Sequence, residues 1–404
     1  PDSSSTLRGF GKRAGSPYRK DDHHIADWPS MLVVFLAILV SEAARGLILP
    51  SLWPYLLSLG GAKETLGVVV ASFSLGRMMA TIPFGFLSDH FSTQAVLVIA
   101  SVIQILGHSM YVIAPSISAI VVARVIVGLG SATMSVCRAH VAKSTTKGQR
   151  TYFFAYLSAL QFVGFAVLPG LGGLLDMLPE GRVGVLELNE ITYPALFLVL
   201  ANLGVIGVAY CIYRDPESVP TVADATQVVT TSGPVTNGVP NGQAQVQIAT
   251  PVEPDWAALM VCLLINVFFR GVVAELETIT TPVLMEYFSL SLPGASGVIG
   301  LLGFVGLFIY LGFKPIAKRF SDRFLVFFAI VLTLAGSFVL AQSIFRPPLV
   351  LYVVGLGAIW SIAYPLGQTA TLALFSKVLA GLPAGGFLGV FSATGSLARI
   401  GFAL

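Results

Sequence analysis

Long apolar runs alternate with short polar segments along nearly the whole chain. A bilayer core is about 30 Å thick, so a helix that rises ~1.5 Å per residue needs about 20 apolar residues to cross it. Eleven runs approach or exceed this length, and the pattern therefore predicts an all-α membrane protein. The runs cover residues 30–58, 65–88, 94–114, 117–140, 152–176, 192–213, 256–282, 295–316, 323–343, 348–378 and 385–404.

One polar interruption is much longer than the others. Residues 214–255 are rich in Thr, Val, Pro, Gly and Gln and contain GPVTNGVPNGQAQ, a composition that does not form a packed core. We interpret them as a cytosolic flexible linker between a six-helix bundle at 29–213 and a second bundle at 256–404, with a cytosolic tail at 1–28. Because the second bundle holds only five runs and the fifth is still apolar at Leu404, we expect this bundle to be incomplete.

Composition narrows the class of protein further. The 404 residues are 55% hydrophobic and only 11% charged, whereas soluble domains carry about 25% charged residues. The net charge is +3 and the basic residues form no single patch, so a nucleic-acid partner is not expected. The chain also lacks a nucleophile elbow, a nucleotide-binding loop and a metal-ligand motif, so we expect neither an enzyme nor a cofactor.

The distribution of Lys and Arg predicts the orientation. If the N-terminus is cytoplasmic, fourteen of the 23 Lys and Arg residues lie in cytoplasmic segments. Only Lys63, Arg182 and Arg346 then lie on the opposite side, as the positive-inside rule requires.

Three short motifs occur in consecutive parts of the first bundle. GFLSDHF begins at the end of the second run and contains Asp89, ARVIVGLGSA lies in the fourth run, and GFAVLPGLGG with Pro169 lies in the fifth. Together they resemble the signature sequences of the major facilitator superfamily, although the usual basic residues of the first motif are absent. In the second motif, Arg124, Gly128 and Gly130 match the family's arginine followed by two small residues on one helix face.

Longer strings carry a closer resemblance. They include SLWPYLLSLG, NVFFRGVVAELETITTPVLMEYF and AYPLGQTATLALFSKVL. These strings resemble a lysosomal subgroup of the superfamily that includes a transporter-like protein lost in one neuronal ceroid lipofuscinosis. They resemble the SPX-MFS vacuolar phosphate transporters more distantly. The resemblance implies two six-helix bundles with twelve spans, about eleven of them present here. It also implies a lysosomal or vacuolar membrane and the movement of small solutes or anions such as chloride. An unrelated membrane protein of eleven or twelve helices is the alternative.

Ionisable side chains lie deep in several predicted spans. An unpaired charge costs several kcal/mol at membrane depth, so these residues mark candidate pathways. In the resembling fold, helices 1, 4, 7 and 10 line a central cavity, and this placement gives the candidate substrate-binding residues Arg45, Arg138, Arg270, Tyr364 and Gln368. The embedded charges leave an excess of three positive charges. They are the arginines Arg45, Arg77, Arg124, Arg138, Arg270 and Arg399 and the glutamates Glu42, Glu275 and Glu277. Because guanidinium binds carboxylate or phosphate through a rigid fork, we expect an anionic substrate to supply the missing charge.

The embedded glutamates allow two interpretations. Glu42, Glu275 and Glu277 either exchange protons during transport or form permanent ion pairs with arginine. Glu42 lies three residues before Arg45 on one helix face, so a pair with Arg45 or with Arg138 is expected. Glu277 is the better candidate for proton coupling, because Glu275, two residues earlier, points to another face.

A further group of residues is assigned to structure or gating. In the spans and the first motif these residues are Asp89, Arg124, Gly128, Gly130, Pro169 and Arg399. In the loop between the eighth and ninth runs they are Lys318, Arg319, Asp322 and Arg323. The loop is either a charge latch between the two halves or simple topology charge that contacts anionic lipid.

These features favour a monomeric secondary transporter that binds a small molecule or ion and works by alternating access in a lipid bilayer. Two alternatives stay open. The same arginines would suit an anion channel on the same scaffold, and a facilitator fold can also serve a transport-inactive sensor or scaffold.

Overall fold

A computed structural model describes residues 27–145, 147–184, 186–214, 255–342, 348–379 and 384–404. The first half holds α1 Trp28–Gly46, α2 Leu49–Ser58, α3 Lys63–His90, α4 Thr93–Val112, α5 Ile117–Gly130, α6 Met134–Ser144, α7 Lys147–Phe162, α8 Pro169–Leu175 and α9 Tyr193–Ile212. The second half holds α10 Trp256–Pro282, α11 Leu292–Leu311, α12 Phe313–Arg319, α13 Asp322–Ala341, α14 Leu349–Gly357, α15 Tyr364–Val378 and α16 Ala384–Ala403. The predicted tail and linker lie almost entirely outside the described residues, and the domain boundaries stay predictions.

The helices account for the predicted membrane spans. Within the described ranges, nine helical segments are long and apolar enough to cross a membrane, and the bent pair Tyr156–Val167 and Pro169–Leu175 makes a tenth. These ten match the first ten apolar runs, which confirms a multi-pass membrane protein. The eleventh run forms α16, a helix of 20 residues that packs against α10 and α3 and lies outside the set of ten. The one departure from an all-α chain in these ranges is a hairpin of β1 Gly181–Val183 and β2 Leu186–Leu188, with Arg182 opposite Glu187.

Three π-helical segments interrupt the described spans, at Val163–Val167, Val283–Tyr287 and Ala358–Ala363. Each lies next to or near a proline, namely Pro169, Pro282 or Pro365. Proline lacks the N–H of a regular helical turn and its ring crowds the preceding carbonyl, so the backbone widens or bends nearby. The result at Pro169 is a bend of 42° between α7 with its π segment and α8.

The two halves meet along two helix pairs. α8 and the π segment before it pack against α11, and α3 packs against α16. Small residues permit this approach: a Cβ at Gly303 would clash with the carbonyl oxygen of Ala166, and a Cβ at Gly67 would clash with that of Ala403. Close backbone packing through small residues is typical of helix contacts in membranes, where lipid offers no hydrophobic driving force.

We call the end at which α3, α9 and α11 begin the distal end. An ion pair crosses between the halves there, with Lys63 Nζ 2.7 Å from Glu286 Oε2. The start of α1 lies at the opposite end because α1 and α2 traverse the bundle before α3 begins. If the predicted orientation is right, the distal end faces away from the cytosol.

Candidate functional site

The carboxylate of Glu42 lies at the centre of the first half. It is fully buried in α1. Arg77 of α3 donates to both of its oxygens, and Gln161 Nε2 of α7 donates to Oε1 at 2.9 Å. Arg77 also donates to the carbonyl oxygen of Ser131, so one guanidinium connects α1, α3 and the end of α5. Sequence reasoning missed Arg77 and Gln161 as partners of this glutamate.

Glu277 is the corresponding carboxylate of the second half. It is buried in α10, and Arg399 of α16 donates to its Oε2. Its other oxygen, Oε1, is buried without a hydrogen-bond partner in the described structure. Arg399, predicted as a structural residue, is therefore the ion-pair partner of Glu277.

Arg45 lies between these two carboxylates. Its Nη2 is 3.6 Å from Glu42 Oε2, and its Nε is 3.9 Å from Glu277 Oε1 in the other half. Both distances exceed a hydrogen bond, and none of the three guanidinium nitrogens has a hydrogen-bond partner among the described residues. The side chain is only 3% exposed, and its guanidinium lies 4.3 Å from the ring centroid of Phe165. Attraction to the ring and to two carboxylates holds Arg45 in place while its directional N–H donors stay available.

The other candidate arginines differ in their surroundings. Arg270 of α10 is half-buried, and its Nε has no hydrogen-bond partner in the described chain. Arg138 of α6 is half-buried and lies within electrostatic range of Arg270 and Glu42. Arg124 is buried, donates to the carbonyl oxygen of Ala44 at 3.2 Å and lies over the ring of Phe73. Arg124 thus connects three helices, whereas Arg45 and Arg270 have guanidinium nitrogens without hydrogen-bond partners among the described residues.

Tyr364 and Gln368 on α15 have different roles. Tyr364 is buried, and its ring packs edge-on against that of Phe165. Gln368 Nε2 donates to Asn266 Oδ1 at 3.0 Å, and Asn266 donates in turn to the carbonyl oxygen of Phe391. Gln368 is therefore engaged in a bridge between α15, α10 and α16, which leaves its unpartnered Oε1 as the atom that could meet a ligand.

Two predictions need correction. Glu275 is exposed and lies outside the cluster, so it forms neither the buried ion pair nor the proton site expected for it. Gly128 and Gly130 do not share a face: a Cβ at Gly128 would clash with the carbonyl oxygen of Phe73 in α3, and one at Gly130 would meet that of Ala100 in α4 at 2.6 Å. Two residues rotate a helix by about 200°, which explains this difference.

The charged loop also differs from the latch interpretation. Asp322 at the start of α13 pairs with Lys377 of α15, which belongs to the same half. Lys318, Arg319 and Arg323 are exposed. Their position fits topology charge, and the Asp322 pair does not cross between the halves. The side chain of Asp89 lies outside the described residues, and Pro169 begins α8 after the bend.

The buried and half-buried charges of the spans are mostly positive. They comprise two glutamates, Glu42 and Glu277, and six arginines. Within the described ranges, no three His, Cys, Asp or Glu side chains lie together as a metal site would require. Arg45 thus lies between two carboxylates that belong to different halves, with its N–H donors without hydrogen-bond partners among the described residues.

Comparison with known sequences agrees with this architecture. The sequence profile of the Major Facilitator Superfamily matches residues 34–403. The chain is 27% identical over 328 residues to Major facilitator superfamily domain-containing protein 8 of Xenopus laevis, a match that covers 78% of this chain and 62% of the relative. It is 29% identical over 147 residues to the quinolone resistance protein NorA of Staphylococcus aureus, over 36% of this chain and 38% of that protein. The chain spans less than two thirds of the length of these relatives.

Solved structures show the same fold. A bacterial homologue of the human lysosomal transporter Spinster, inward-facing and unoccupied, aligns with a TM-score of 0.68 at 16% identity, covering 93% of this chain and 81% of that chain. The human organic anion transporter MFSD10 aligns with a TM-score of 0.63 at 18% identity, covering 93% and 91%. The inward-open xylose transporter XylE of E. coli gives 0.64 at 15% identity, covering 92% and 88%. The predicted facilitator fold is confirmed.

Proposed function

This chain belongs to the Major Facilitator Superfamily, and we propose that it is a secondary transporter of small anions that works by alternating access. The observation that carries the proposal is Arg45. It is a fully charged side chain buried between the two halves, and its N–H donors have no hydrogen-bond acceptor in the described structure. A buried guanidinium without an acceptor is costly, and a bound carboxylate, phosphate or halide would satisfy it.

The two flanking carboxylates give Arg45 a role in coupling the halves. Glu42 belongs to the same helix as Arg45, whereas Glu277 lies across the interface between the halves. An anion at Arg45 would weaken its attraction to Glu277, because the anion and the carboxylate compete for one positive charge. Binding would therefore loosen a contact between the halves, which is the change that alternating access requires.

Glu277 is our candidate for proton coupling. Arg399 occupies one of its oxygens and leaves Oε1 without a hydrogen-bond partner in the described chain, so a proton could bind there. A neutral Glu277 would release Arg45 toward the substrate. A permanent Glu277–Arg399 pair is the competing interpretation, and it predicts anion flux that does not depend on a proton gradient.

The location of the protein and its orientation in the membrane are also part of the proposal. We place the protein in a lysosomal or vacuolar membrane with its N-terminus in the cytosol, and the linker on the same side. The sequence resemblance and the positive-inside pattern support this placement. The names of two structural neighbours, an organic anion transporter and a homologue of a lysosomal transporter, point the same way.

The test is flux through full-length protein in liposomes. Chloride and phosphate uptake are measured with and without a pH gradient for the wild type and for Arg45→Gln, Arg270→Gln and Glu277→Gln. Arg323→Gln is the matched control, since it removes an exposed arginine of the same chain. We expect Arg45→Gln and Arg270→Gln to lose anion flux, Glu277→Gln to lose its proton dependence, and Arg323→Gln to match the wild type.

Two results would contradict the proposal. If the wild type moves neither anion, or if all four variants behave alike, then the arginines do not form an anion site. Conductance far above carrier turnover in a planar bilayer would instead identify an anion channel on this scaffold.

A further inference from the structure

α8 and the residues that precede it, back to Phe162 of α7, contact α11 along a seam that joins the halves. The contacting pairs, from the distal end inward, are Gly173–Ser296, Gly170–Gly300, Ala166–Gly303 and Phe162–Gly306. The residue numbers rise on one side as they fall on the other, so the segments run antiparallel. Apart from Phe162, the contacting residues on both sides are small and recur every three or four positions, so the backbones nearly touch. A seam this close at the distal end either stays packed or opens as a unit.

Asp176 lies at the distal mouth of this seam. It directly follows α8, and its backbone N–H donates to the carbonyl oxygen of Gly172 at 2.8 Å. Its half-buried side chain reaches α11, where Ser296 Oγ donates to Oδ2 at 3.4 Å. The other oxygen, Oδ1, is buried and has no hydrogen-bond partner in the described structure. An ionised carboxylate normally accepts several hydrogen bonds, so this one is poorly satisfied where it stands.

The charges around Asp176 disfavour its ionised form. Burial and then the nearby negative charge of Glu190 raise the pKa of Asp176 to about 7, while the Ser296 hydrogen bond acts weakly in the opposite direction. Among the described residues that pack against this end of α8, Glu190 is the charged group that acts on it. Arg182 of the neighbouring hairpin is exposed and donates to the carbonyl oxygen of Gly184 at 3.1 Å.

We propose that Asp176 is a proton-binding site that couples closure of the seam to the pH of the compartment at the distal end. Closing the seam brings the carboxyl against Ser296 and removes it from water. Opening the seam separates α8 from α11 and exposes the carboxyl, which favours the charged form. The proton therefore binds more tightly to the closed state, and acid on the distal side favours closure. The proposal concerns the movement of the halves and holds for any substrate.

The size of the effect follows from proton linkage. The closed state gains relative to the open state as pH falls through about 7, and this gain disappears as pH rises above that value. A fully exposed Asp titrates near 3.9, so only the closed state binds the proton between pH 8 and pH 5. The ratio of closed to open molecules should then rise on the order of tenfold to a hundredfold over this range.

The test measures the distance across the distal end. Nitroxide labels are attached to the variants Ser118→Cys and Ser289→Cys, which replace exposed residues of the two halves, in full-length protein that also carries Cys211→Ser. Electron–electron distances are recorded in nanodiscs at pH 8 and pH 5. We expect the short-distance population of the wild type to grow at pH 5. Asp176→Asn, a neutral mimic of the protonated side chain, should show the short distance at both pH values.

Two further variants keep the test decisive. Glu187→Gln removes an exposed acid from the same loop and should keep the pH response of the wild type. Asp176→Glu keeps a titratable group and should keep a pH response, which separates loss of the proton site from loss of folding. A wild-type distance that ignores pH would overturn the proposal, as would an unchanged pH response in Asp176→Asn. Anion flux can fail in the liposome assay without affecting this result, so the two proposals fail separately.

Discussion

Breaking the Glu277–Arg399 pair should destabilise the protein far more than breaking an exposed ion pair. Glu277→Gln keeps the shape of the side chain but removes its charge, which leaves two buried arginines, Arg399 and Arg45, facing a neutral amide. At an effective dielectric of about 20, charges 3.9 Å apart, like Arg45 and Glu277, attract by about 4 kcal/mol. Removing one partner of a buried pair costs ~3–5 kcal/mol, because the other charge stays desolvated.

The matched control is the Asp322–Lys377 pair, which also joins a carboxylate to a cation but lies at the surface. The Lys377 side chain is 69% exposed, and exposed pairs contribute about 0–1 kcal/mol. Lys377→Gln should therefore change stability little. The double variant Glu277→Gln/Arg399→Gln should be less destabilised than the sum of its single variants, because removing both charges leaves fewer unpaired.

The assay is thermal unfolding of full-length variants in nanodiscs at one scan rate, because membrane proteins often unfold irreversibly. A shift of about 2 °C per kcal/mol predicts a loss of roughly 6–10 °C for Glu277→Gln and less than ~2 °C for Lys377→Gln. The reasoning is refuted if Glu277→Gln and Lys377→Gln lower the unfolding temperature by the same amount. It is also refuted if the double variant loses the full sum of its parts.

Two further outcomes follow from the packing of the spans. Gly303→Ala should abolish transport by forcing the seam apart, since its Cβ would clash with the carbonyl oxygen of Ala166. The control is Gly297→Ala on the same helix, where a Cβ meets nothing within 4 Å and flux should stay normal. Phe165→Leu should remove the ring over Arg45, which is worth about 0.5–2 kcal/mol, and weaken anion binding up to roughly thirtyfold without changing the number of sites in a titration.

The spans were predictable because the bilayer imposes one strong constraint, a length of apolar helix. Hydropathy does not reveal how that helix is interrupted. The single run at 117–140 proves to be α5 and α6 separated by a turn, and the run at 152–176 contains a π segment and a bend. These breaks depend on prolines, glycines and the backbones that they touch, and a window of average hydropathy does not register them.

Pairs on one helix were predictable, whereas pairs between helices were not. The three-residue spacing of Glu42 and Arg45 places them side by side, as the structure shows. Arg77 and Arg399 reach their glutamates only because distant helices pack in a particular register. Helical rotation could also have separated Gly128 from Gly130, since residues two apart face different neighbours. The sequence pattern alone therefore supplied the right kinds of residue and left several partners unknown.

The candidate anion site and the seam are joined through one short segment, the π segment Val163–Val167. The ring of Phe165 lies over the guanidinium of Arg45, and the next residue, Ala166, touches Gly303 across the seam. Gly46, which follows Arg45, fits directly against the backbone of Phe165, where a Cβ would lie 2.7 Å from its Cα. A movement of α11 away from Ala166 would therefore act one residue from the ring that holds Arg45. Single π-helical turns within α-helices are frequent at functional sites. Opening the seam would then change the surroundings of Arg45 through a single side chain, Phe165.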